Sequence, residues 1–376
     1  MRKKTKLWII LHALVVLLPL FGAVLRAPDA DLYGVEPPAP APLLSLRGWM
    51  TEKVQPAFQS WFESRIGFRG VMVRTDNSLQ IAALNETPPG SFVVIGDKDV
   101  YFSRDDVEYM STQRRDMPFV LARVEDLTRR LGSVHRKLGA RGKRLAVVMS
   151  PSKTDVYGDA VPTRWRRPSN ISHEIHDALR SGLTENGVPF GDGNPLFKAL
   201  PKDERELVFA RYGRHWTVEG SCLALNEALA KTPFVPPCEY DMIAVSRASH
   251  FDFDLFKLQN NWGCDLGRAE VPKTRPPKVE DDAPAKPRTL FVGTSFLWML
   301  VTNMRPLIAE KPVALFYNTT FFDIDSWTRI GAVDPAAPAW ADYVLERDLY
   351  VLDILDTFAH HDEMLNFVTE LDRRLN

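Results

Sequence analysis

A serine that follows a short apolar run is the first residue of this sequence that could carry out chemistry. Residues 289–296 read TLFVGTSF, so Gly293, Thr294 and Ser295 follow a predicted buried strand and precede residues with helical spacing. A serine hydroxyl at such a turn can act as a nucleophile when a base takes its proton. Gly293 and Thr294 are candidate oxyanion-binding or substrate-binding residues. The alternative is that Ser295 only caps the helix.

A histidine is the best candidate for the base. Among eight histidines, His215 stands in the stretch FARYGRHWTVEGS, just before a predicted helix whose cap is Thr217. The positive end of a helix dipole disfavours a cation, so this position favours a neutral and basic imidazole. A loop histidine that bonds only to the backbone is the alternative interpretation.

A lysine at the end of another predicted strand is a candidate substrate-binding residue. The sequence RLAVVMSPSK, residues 144–153, reads as a buried strand that ends before Pro151 and is followed by Lys153. The ammonium group could orient a carboxylate or a carbonyl of the substrate. A lysine on the surface is the alternative.

The sequence predicts no metal site and no cofactor. His173 and His176 share one face of a predicted helix beside Asp177, which is more typical of a solvated helix than of a metal site. Cys222, Cys238 and Cys264 form no CxxC motif. In an exported protein, one pair of these cysteines could be oxidised and the third would remain a thiol.

The elements that must position these residues alternate between strand and helix from residue 144 onward. This pattern predicts an α/β fold with a parallel sheet that helices cover on both faces. In such folds the loops that leave the carboxyl ends of the strands form the site. Residues 150–153 and 293–295 both lie at such ends.

The N-terminus predicts a membrane anchor. Residues 1–26 contain Arg2, Lys3, Lys4 and Lys6, followed by an apolar run over residues 7–25. That run is long enough to cross a bilayer as a helix, and the cations favour a cytoplasmic N-terminus with the remainder exported. A cleaved signal peptide is the alternative. Residues 27–44 are rich in proline and alanine and predict a linker, and residues 45–376 would form the domain.

The overall charge gives no reason to expect a nucleic-acid partner. The chain of 376 residues carries 47 Lys and Arg against 48 Asp and Glu, for a formal charge of −1. Nucleic-acid binding usually requires a basic surface.

Five fragments, in order, resemble one known family. WFESRIGFRG, FVVIGDKDVYF, SPSKTDVYGDAVP, RHWTVEGS and FVGTSF are similar to successive motifs of the AlgX/AlgJ-type SGNH-hydrolase-like domain of bacterial polysaccharide O-acetyltransferases. The resemblance runs from about residue 50 to the C-terminus, and it implies an SGNH-like parallel sheet flanked by helices.

The resemblance also implies a function and partners. Ser295 would carry an acyl group, His215 would be the general base, and the acetyl group would pass to a hydroxyl of an exopolysaccharide such as alginate. An integral O-acyltransferase of the MBOAT type would deliver the acetyl group. The protein would be a single-pass protein of the bacterial inner membrane with its catalytic domain in the periplasm.

One departure from the family pattern leaves the activity open. The family has Asp-x-His-Trp, whereas this chain has Gly213, Arg214, His215 and Trp216. A triad that loses its acid loses orders of magnitude in rate, and the Arg214 cation should lower the basicity of His215. Another acid, either Asp353 or Asp356, could replace the missing one. Otherwise a Ser-His dyad works slowly, or the chain only binds glycan as part of a secretion complex. A carbohydrate acetylesterase is a further alternative.

Overall fold

The structure is a computed structural model. It describes residues 3–25, 27–35, 40–41, 46–51, 53–166, 172–232, 238–247, 250–266, 269–275, 285–332 and 334–376. Parts of the predicted linker, residues 36–39 and 42–44, lie outside the described residues, as do residues 1, 2 and 26 of the predicted anchor. The chain divides into two compact units, Met1–Val93 with Phe256–Gly267, and Val94–Leu255 with Arg268–Asn376.

The first unit is helical. Its helices are α1 (Lys3–Leu25), α2 (Leu46–Met50), α3 (Val54–Glu63) and α4 (Arg69–Leu84). By length and composition, α1 is a helix that could cross a membrane. Helices α3 and α4 lie on either side of Gly67.

The remaining helices belong mainly to the second unit. They are α5 (Arg104–Met110), α6 (Met117–Gly139), α7 (Lys153–Val156), α8 (Ser172–Glu185), α9 (Gly193–Ala199), α10 (Lys202–Val208), α11 (Val218–Leu229), α12 (Asp254–Leu258), α13 (Leu297–Met304), α14 (Pro338–Val344) and α15 (Asp362–Arg374). The strands are β1 (Val93–Ile95), β2 (Tyr101–Ser103), β3 (Arg144–Ser150), β4 (Phe190–Asp192), β5 (Glu239–Arg247), β6 (Ala269–Arg275), β7 (Thr289–Gly293), β8 (Val313–Phe316), β9 (Thr320–Asp323), β10 (Thr328–Ala332) and β11 (Leu349–Leu355).

A seven-stranded sheet forms the centre of the second unit, in the order β10-β9-β8-β7-β11-β3-β4. The five strands from β8 to β4 are parallel, and β9 and β10 extend one edge in antiparallel pairing. The prediction of an α/β fold with a mostly parallel sheet is therefore confirmed. The antiparallel edge was not predicted.

The central strands are apolar because both faces of the sheet are covered. Along β3, Ala146 and Val148 pack into one apolar cluster together with residues of α11 and α13. The alternate residues Leu145 and Val147 pack into a second cluster with residues of α6, α8 and α15. Each fully buried valine or leucine side chain contributes roughly 1.5–3 kcal/mol relative to exposure. This burial stabilises the sheet, and the sheet in turn holds the carboxyl ends of its strands in defined positions.

A separate two-stranded sheet lies between α11 and β7 in the chain. Its strands β5 and β6 pair antiparallel, and residues 248–249 and 267–268 between them lie outside the described residues. We call residues 239–255 the β5–α12 segment. A disulfide joins Cys222 of α11 to Cys238, immediately before this segment, with the two Cα atoms 5.8 Å apart. Cys264 is a buried free thiol.

Candidate active site

Ser295 lies in the turn between β7 and α13. The strand ends at Gly293 and the helix begins at Leu297. The residue that caps α13 is Phe296, and no side chain makes a capping hydrogen bond to this helix. Instead, the Ser295 Oγ lies 2.7 Å from His215 Nε2. The hydroxyl therefore faces an imidazole and does not serve as a helix cap.

The turn that presents Ser295 is anchored on Asp353 of β11. Thr294 donates its backbone N–H (3.0 Å) and its Oγ1–H (2.7 Å) to Asp353 Oδ2, and Ser150 donates to Asp353 Oδ1. At Gly293, with φ of +156°, a Cβ would lie 2.5 Å from the Asp353 Cβ. Only glycine allows β7 to approach β11 this closely. Burial raises the pKa of Asp353, and the bonds from Ser150 and Thr294 oppose that rise.

His215 is held by its neighbours on both sides. Thr217 caps α11, as predicted, by accepting the N–H of Gly220 at 3.0 Å. The Trp216 indole donates to the Phe296 carbonyl at 3.1 Å, which ties the histidine segment to the serine turn. The imidazole packs against the ring of Phe296 with centroids 5.0 Å apart. With 7% exposure, the ring is shielded from bulk water on most sides.

The acid beside His215 is Asp254, at the start of α12. Its Oδ2 lies 2.9 Å from His215 Nδ1. Its Oδ1 accepts the backbone N–H groups of Arg214 (2.8 Å) and Leu255 (2.7 Å). Burial raises the pKa of Asp254, but the contact with His215 and these amides outweigh it and hold the pKa below its usual value. The result is an ordered series of Ser295, His215 and an ionised Asp254.

This geometry corrects the prediction that Asp353 or Asp356 orients the histidine. Asp353 is occupied by Ser150 and Thr294, as described above. Asp356 is buried and accepts the N–H of Thr357 at 2.7 Å. Burial raises the pKa of Asp356 well above its usual value, and the nearby carboxyl of Asp155 raises it further. A carboxyl that is held neutral in this way does not stabilise an imidazolium.

The sequence places the chain in a known family. Residues 108–299 match the family model described as "SGNH hydrolase-like domain, acetyltransferase AlgX", and this range covers just over half of the 376 residues. The chain belongs to this family. The matched range includes Asp254 and both members of the Ser295–His215 contact.

Solved structures of similar fold are more distant in sequence. The chain resembles the O-acetyltransferase domain of Pseudomonas putida AlgJ at 17% identity and TM-score 0.47, over 76% of this chain and 99% of that one. It resembles Pseudomonas aeruginosa AlgX at 15% identity and TM-score 0.43, over 74% of this chain and 67% of that one. It resembles Bacillus cereus PatB1 at 8% identity and TM-score 0.43, over 73% of this chain and 99% of that one. Among curated sequences, no protein matches significantly.

In this AlgX-family domain, Lys153 supports the histidine loop and does not point at a substrate. It is 1% exposed, and its Nζ donates to the carbonyls of Ala210 (2.8 Å), Arg211 (3.0 Å) and Gly213 (2.7 Å). Burial lowers the pKa of Lys153 to about 7. The expected role of Lys153 in orienting a substrate is therefore replaced by a role in shaping the loop before His215.

Two other sequence-based roles in this AlgX-family domain also change. Both donors of Thr294 are used by Asp353, so Thr294 offers no free donor to an oxyanion. The carbonyl of Gly293 accepts the N–H of Tyr317 at 2.7 Å, which ties the end of β7 to the turn after β8. The Arg214 guanidinium, expected to act on His215, pairs with Asp106 at 2.8 Å. Its charge is thus balanced by a carboxylate.

Gly213, two residues before His215, has a packing role. A Cβ at Gly213 would lie 2.5 Å from the Phe251 carbonyl oxygen and 3.0 Å from the Asp252 carbonyl carbon. A side chain here would push the β5–α12 segment away. Gly213 therefore allows that segment to bring Asp254 to His215.

Ser295 is half-buried, and a tyrosine hydroxyl and a small cavity lie near it. The Tyr317 hydroxyl lies 3.4 Å from Ser295 Oγ. A cavity of about 130 Å³ adjoins them and is lined by Thr294, Tyr317, Asp353, Phe358, His361 and Met364, among others. The backbone N–H of Ser295 makes no hydrogen bond to another described residue. That N–H is the available donor for a developing oxyanion.

Sequence reasoning missed Asp254. The stretch HFDFDLF, residues 250–256, offers two acids between aromatic residues, but no spacing relates them to His215. The one usable signal was an acid at the start of a short helical pattern, inside a segment without any other assigned role.

Proposed function

We propose that this protein is an O-acetyltransferase that moves an acetyl group, through an acyl-Ser295 intermediate, to a hydroxyl group of an exopolysaccharide. The observation that carries the proposal is the 2.7 Å contact between Ser295 Oγ and His215 Nε2. It occurs in a chain of the AlgX acetyltransferase family. A nucleophile and a base within this distance are the minimum for covalent acyl transfer.

The first half-reaction forms the acyl-enzyme. His215 Nε2 takes the proton of Ser295 while Oγ attacks the carbonyl carbon of the acetyl donor. The negative charge that develops on the carbonyl oxygen is stabilised by the Ser295 N–H. When the tetrahedral intermediate collapses, the bond to the donor oxygen breaks, and the leaving group takes the proton from His215.

The second half-reaction reverses these roles with a sugar hydroxyl. His215 removes the hydroxyl proton, and the sugar oxygen attacks the acetyl carbon. The bond to Ser295 Oγ breaks, and the proton returns from His215 to the serine. Asp254 fixes the tautomer of His215 through Nδ1 and stabilises the imidazolium that forms in each half-reaction.

The cellular setting of the proposal is the periplasmic face of a bacterial inner membrane. The cations Arg2, Lys3, Lys4 and Lys6 before the apolar run of α1 support a single span with an exported domain. The Cys222–Cys238 disulfide is typical of an oxidising compartment. An integral acyltransferase of the MBOAT type is the proposed acetyl donor, and an alginate-like polymer is the proposed acceptor.

The test is the replacement Ser295→Ala in the detergent-solubilised full chain. We expect at least a 10³-fold loss of hydrolysis of a chromogenic acetyl ester, because the nucleophile is gone. In the wild type, mass spectrometry of the trapped enzyme should find one added acetyl group on Ser295. Ser111→Ala is the matched control, since Ser111 lies in another part of the second unit, at the end of α5. Equal activity of the wild type and Ser295→Ala contradicts the proposal.

A transferase and an esterase differ only in what attacks the acyl-enzyme. Analysis of the products therefore separates them: acetylated oligosaccharide indicates transfer, and free acetate alone indicates an esterase. Glycan binding with no turnover by the wild type would instead support a non-catalytic subunit.

A further inference from the structure

An exposed tryptophan stands at the end of the β9–β10 hairpin. Trp327 is 57% exposed and has a φ of +54°. The left-handed region is rarely adopted by bulky residues, and turns that need it usually use glycine or asparagine. A large side chain in this conformation, with most of its area in water, gains little for folding. Its position therefore calls for an explanation outside the core.

A series of aromatic rings connects Trp327 to the nucleophile. The centroid of Trp327 lies 5.0 Å from that of Trp298, which lies 5.4 Å from Phe316. Phe316 is in edge contact with Tyr317 at 4.6 Å. The Tyr317 hydroxyl lies 3.4 Å from Ser295 Oγ. The exposed tryptophan is thus built on the same packed layer that carries the site.

The ends of this series are exposed, whereas Phe316 is half-buried and Trp298 is buried. Trp298 is only 7% exposed, whereas Tyr317 is 38% exposed. Trp298 supports Trp327 from below, which leaves the other side of the Trp327 ring in solvent. Two exposed aromatic side chains therefore lie at the two ends of one rigid surface, one of them at Ser295.

The exposed chain neighbours of Trp327 are polar apart from Ile330, which is 37% exposed. Asp325, Ser326, Thr328 and Arg329 are all exposed, and Ser326 and Thr328 share a hydrogen bond of 2.6 Å. An isolated aromatic ring among polar groups suits a ligand with an apolar face and a hydroxylated rim. A protein partner or a lipid surface would call for a wider apolar patch.

We propose that Trp327 forms a binding subsite for a pyranose unit of the acceptor glycan, several units from the hydroxyl that is acetylated. The weakly positive C–H groups on one face of the sugar lie against the negative face of the indole ring. The chain then extends past Tyr317 and presents a hydroxyl at Ser295. This inference rests on the proposed function and adds where the polymer is held.

The first test measures binding without turnover. Hexasaccharides of β-1,4-linked mannuronate and of β-1,4-linked glucose are titrated into the detergent-solubilised full chain carrying Ser295→Ala. Binding is followed by calorimetry. Adding Trp327→Ala should weaken the binding of at least one hexasaccharide about tenfold, the order expected for a lost ring contact. Adding Trp327→Phe, which keeps a ring, should restore most of the affinity.

The control is Trp262→Ala, since Trp262 is 51% exposed and belongs to the first unit. This variant should bind as the parent does. The proposed subsite is ruled out when neither hexasaccharide binds, or when Trp327→Ala and Trp262→Ala bind the hexasaccharides with equal affinity.

The second test uses acceptor length. With a chromogenic acetyl ester as donor, Trp327→Ala should lower kcat/KM for a hexasaccharide about tenfold more than for a monosaccharide, which is too short to reach both Trp327 and Ser295. An equal loss for both acceptors overturns the subsite. If binding depends on Trp327 but no variant transfers acetyl groups, the proposed function fails and the glycan subsite stands.

Discussion

At the scale of single residues, Asp254 determines which nitrogen of His215 is available as a base. Two backbone amides and the imidazole surround its carboxylate, so its orientation does not depend on a flexible side-chain partner. An ionised acid at Nδ1 keeps the proton there and leaves Nε2 free to accept one from Ser295. The absence of an acid at position 213 therefore does not remove the third group of the site.

We predict that Asp254→Asn lowers kcat/KM for acetyl-ester hydrolysis by about 10²–10⁴-fold, because asparagine no longer fixes the productive tautomer. The thermal stability of the variant should change far less than its rate, and the pH profile of the rate should lose its original shape. Asp97→Asn, at an exposed aspartate, serves as control. Wild-type rates for Asp254→Asn would mean that Ser295 and His215 work as a dyad.

The sequence identifies the serine and the histidine for a physical reason. Both stand at boundaries between elements that local patterns define, β7 before Ser295 and α11 after His215. The contact with Asp254 depends instead on the tertiary packing of the β5–α12 segment against His215. Local sequence periodicity does not predict such a packing. The interpretation of Lys153 as a surface residue or substrate ligand was wrong for a similar reason, since three carbonyls of a remote loop satisfy it.

At the scale of elements, the β5–α12 segment and the loop before His215 form one packed pair. The closest approach is at Gly213, where the carbonyl of Phe251 leaves no room for a side chain. The position of the acid at residue 254 therefore depends on the glycine at residue 213.

We predict that an acid placed at position 213 cannot take over the role of Asp254. Gly213→Asp should reduce turnover in the wild-type background and should fail to rescue Asp254→Asn, because its Cβ displaces residues 251 and 252 and moves α12. The measurement is ester hydrolysis by the two single variants and the double variant. Gly139→Ala is the control, as a Cβ at Gly139 meets no atom within 4 Å. Recovery in the double variant would contradict this account.

Some strands could be predicted and others could not. The runs of β3, β7 and β11 are mostly apolar because both faces are buried. The β8–β9 hairpin was missed because its turn uses Tyr317 and Asn318, with φ of +46° and +57°, where glycine is the usual signal. The strand β6 is rich in polar residues and lacks an apolar run, and the apolar run of β5 is limited to residues 242–245 between polar residues.

At the scale of the whole molecule, the disulfide joins the two parts of the chain that supply the base and the acid. Cys222 belongs to α11, which begins just after His215, and Cys238 leads into the β5–α12 segment. A covalent link at this point restricts how far the two parts can separate.

We predict that Cys222→Ser with Cys238→Ser lowers the free energy of unfolding by about 3 kcal/mol, the value expected for closing a loop of this length. The two cysteines are 16 residues apart. Chemical denaturation of the full chain in detergent, with and without a reductant, measures the change. The reductant should affect the wild type and the buried-thiol control Cys264→Ser, but not the double variant. A wild type that is insensitive to the reductant would contradict the prediction.

The burial of Lys153 also has a consequence for the specificity of acyl transfer. Burial lowers the pKa of Lys153 to about 7, so near neutral pH part of this amine is uncharged, which is the form that attacks an acetyl ester. Here it is covered by the fold, and its donors are engaged by the carbonyls of Ala210, Arg211 and Gly213. Under the proposed function, this cover would protect Lys153 from acetylation and would leave the acetyl group on Ser295 for acceptors that enter from solvent.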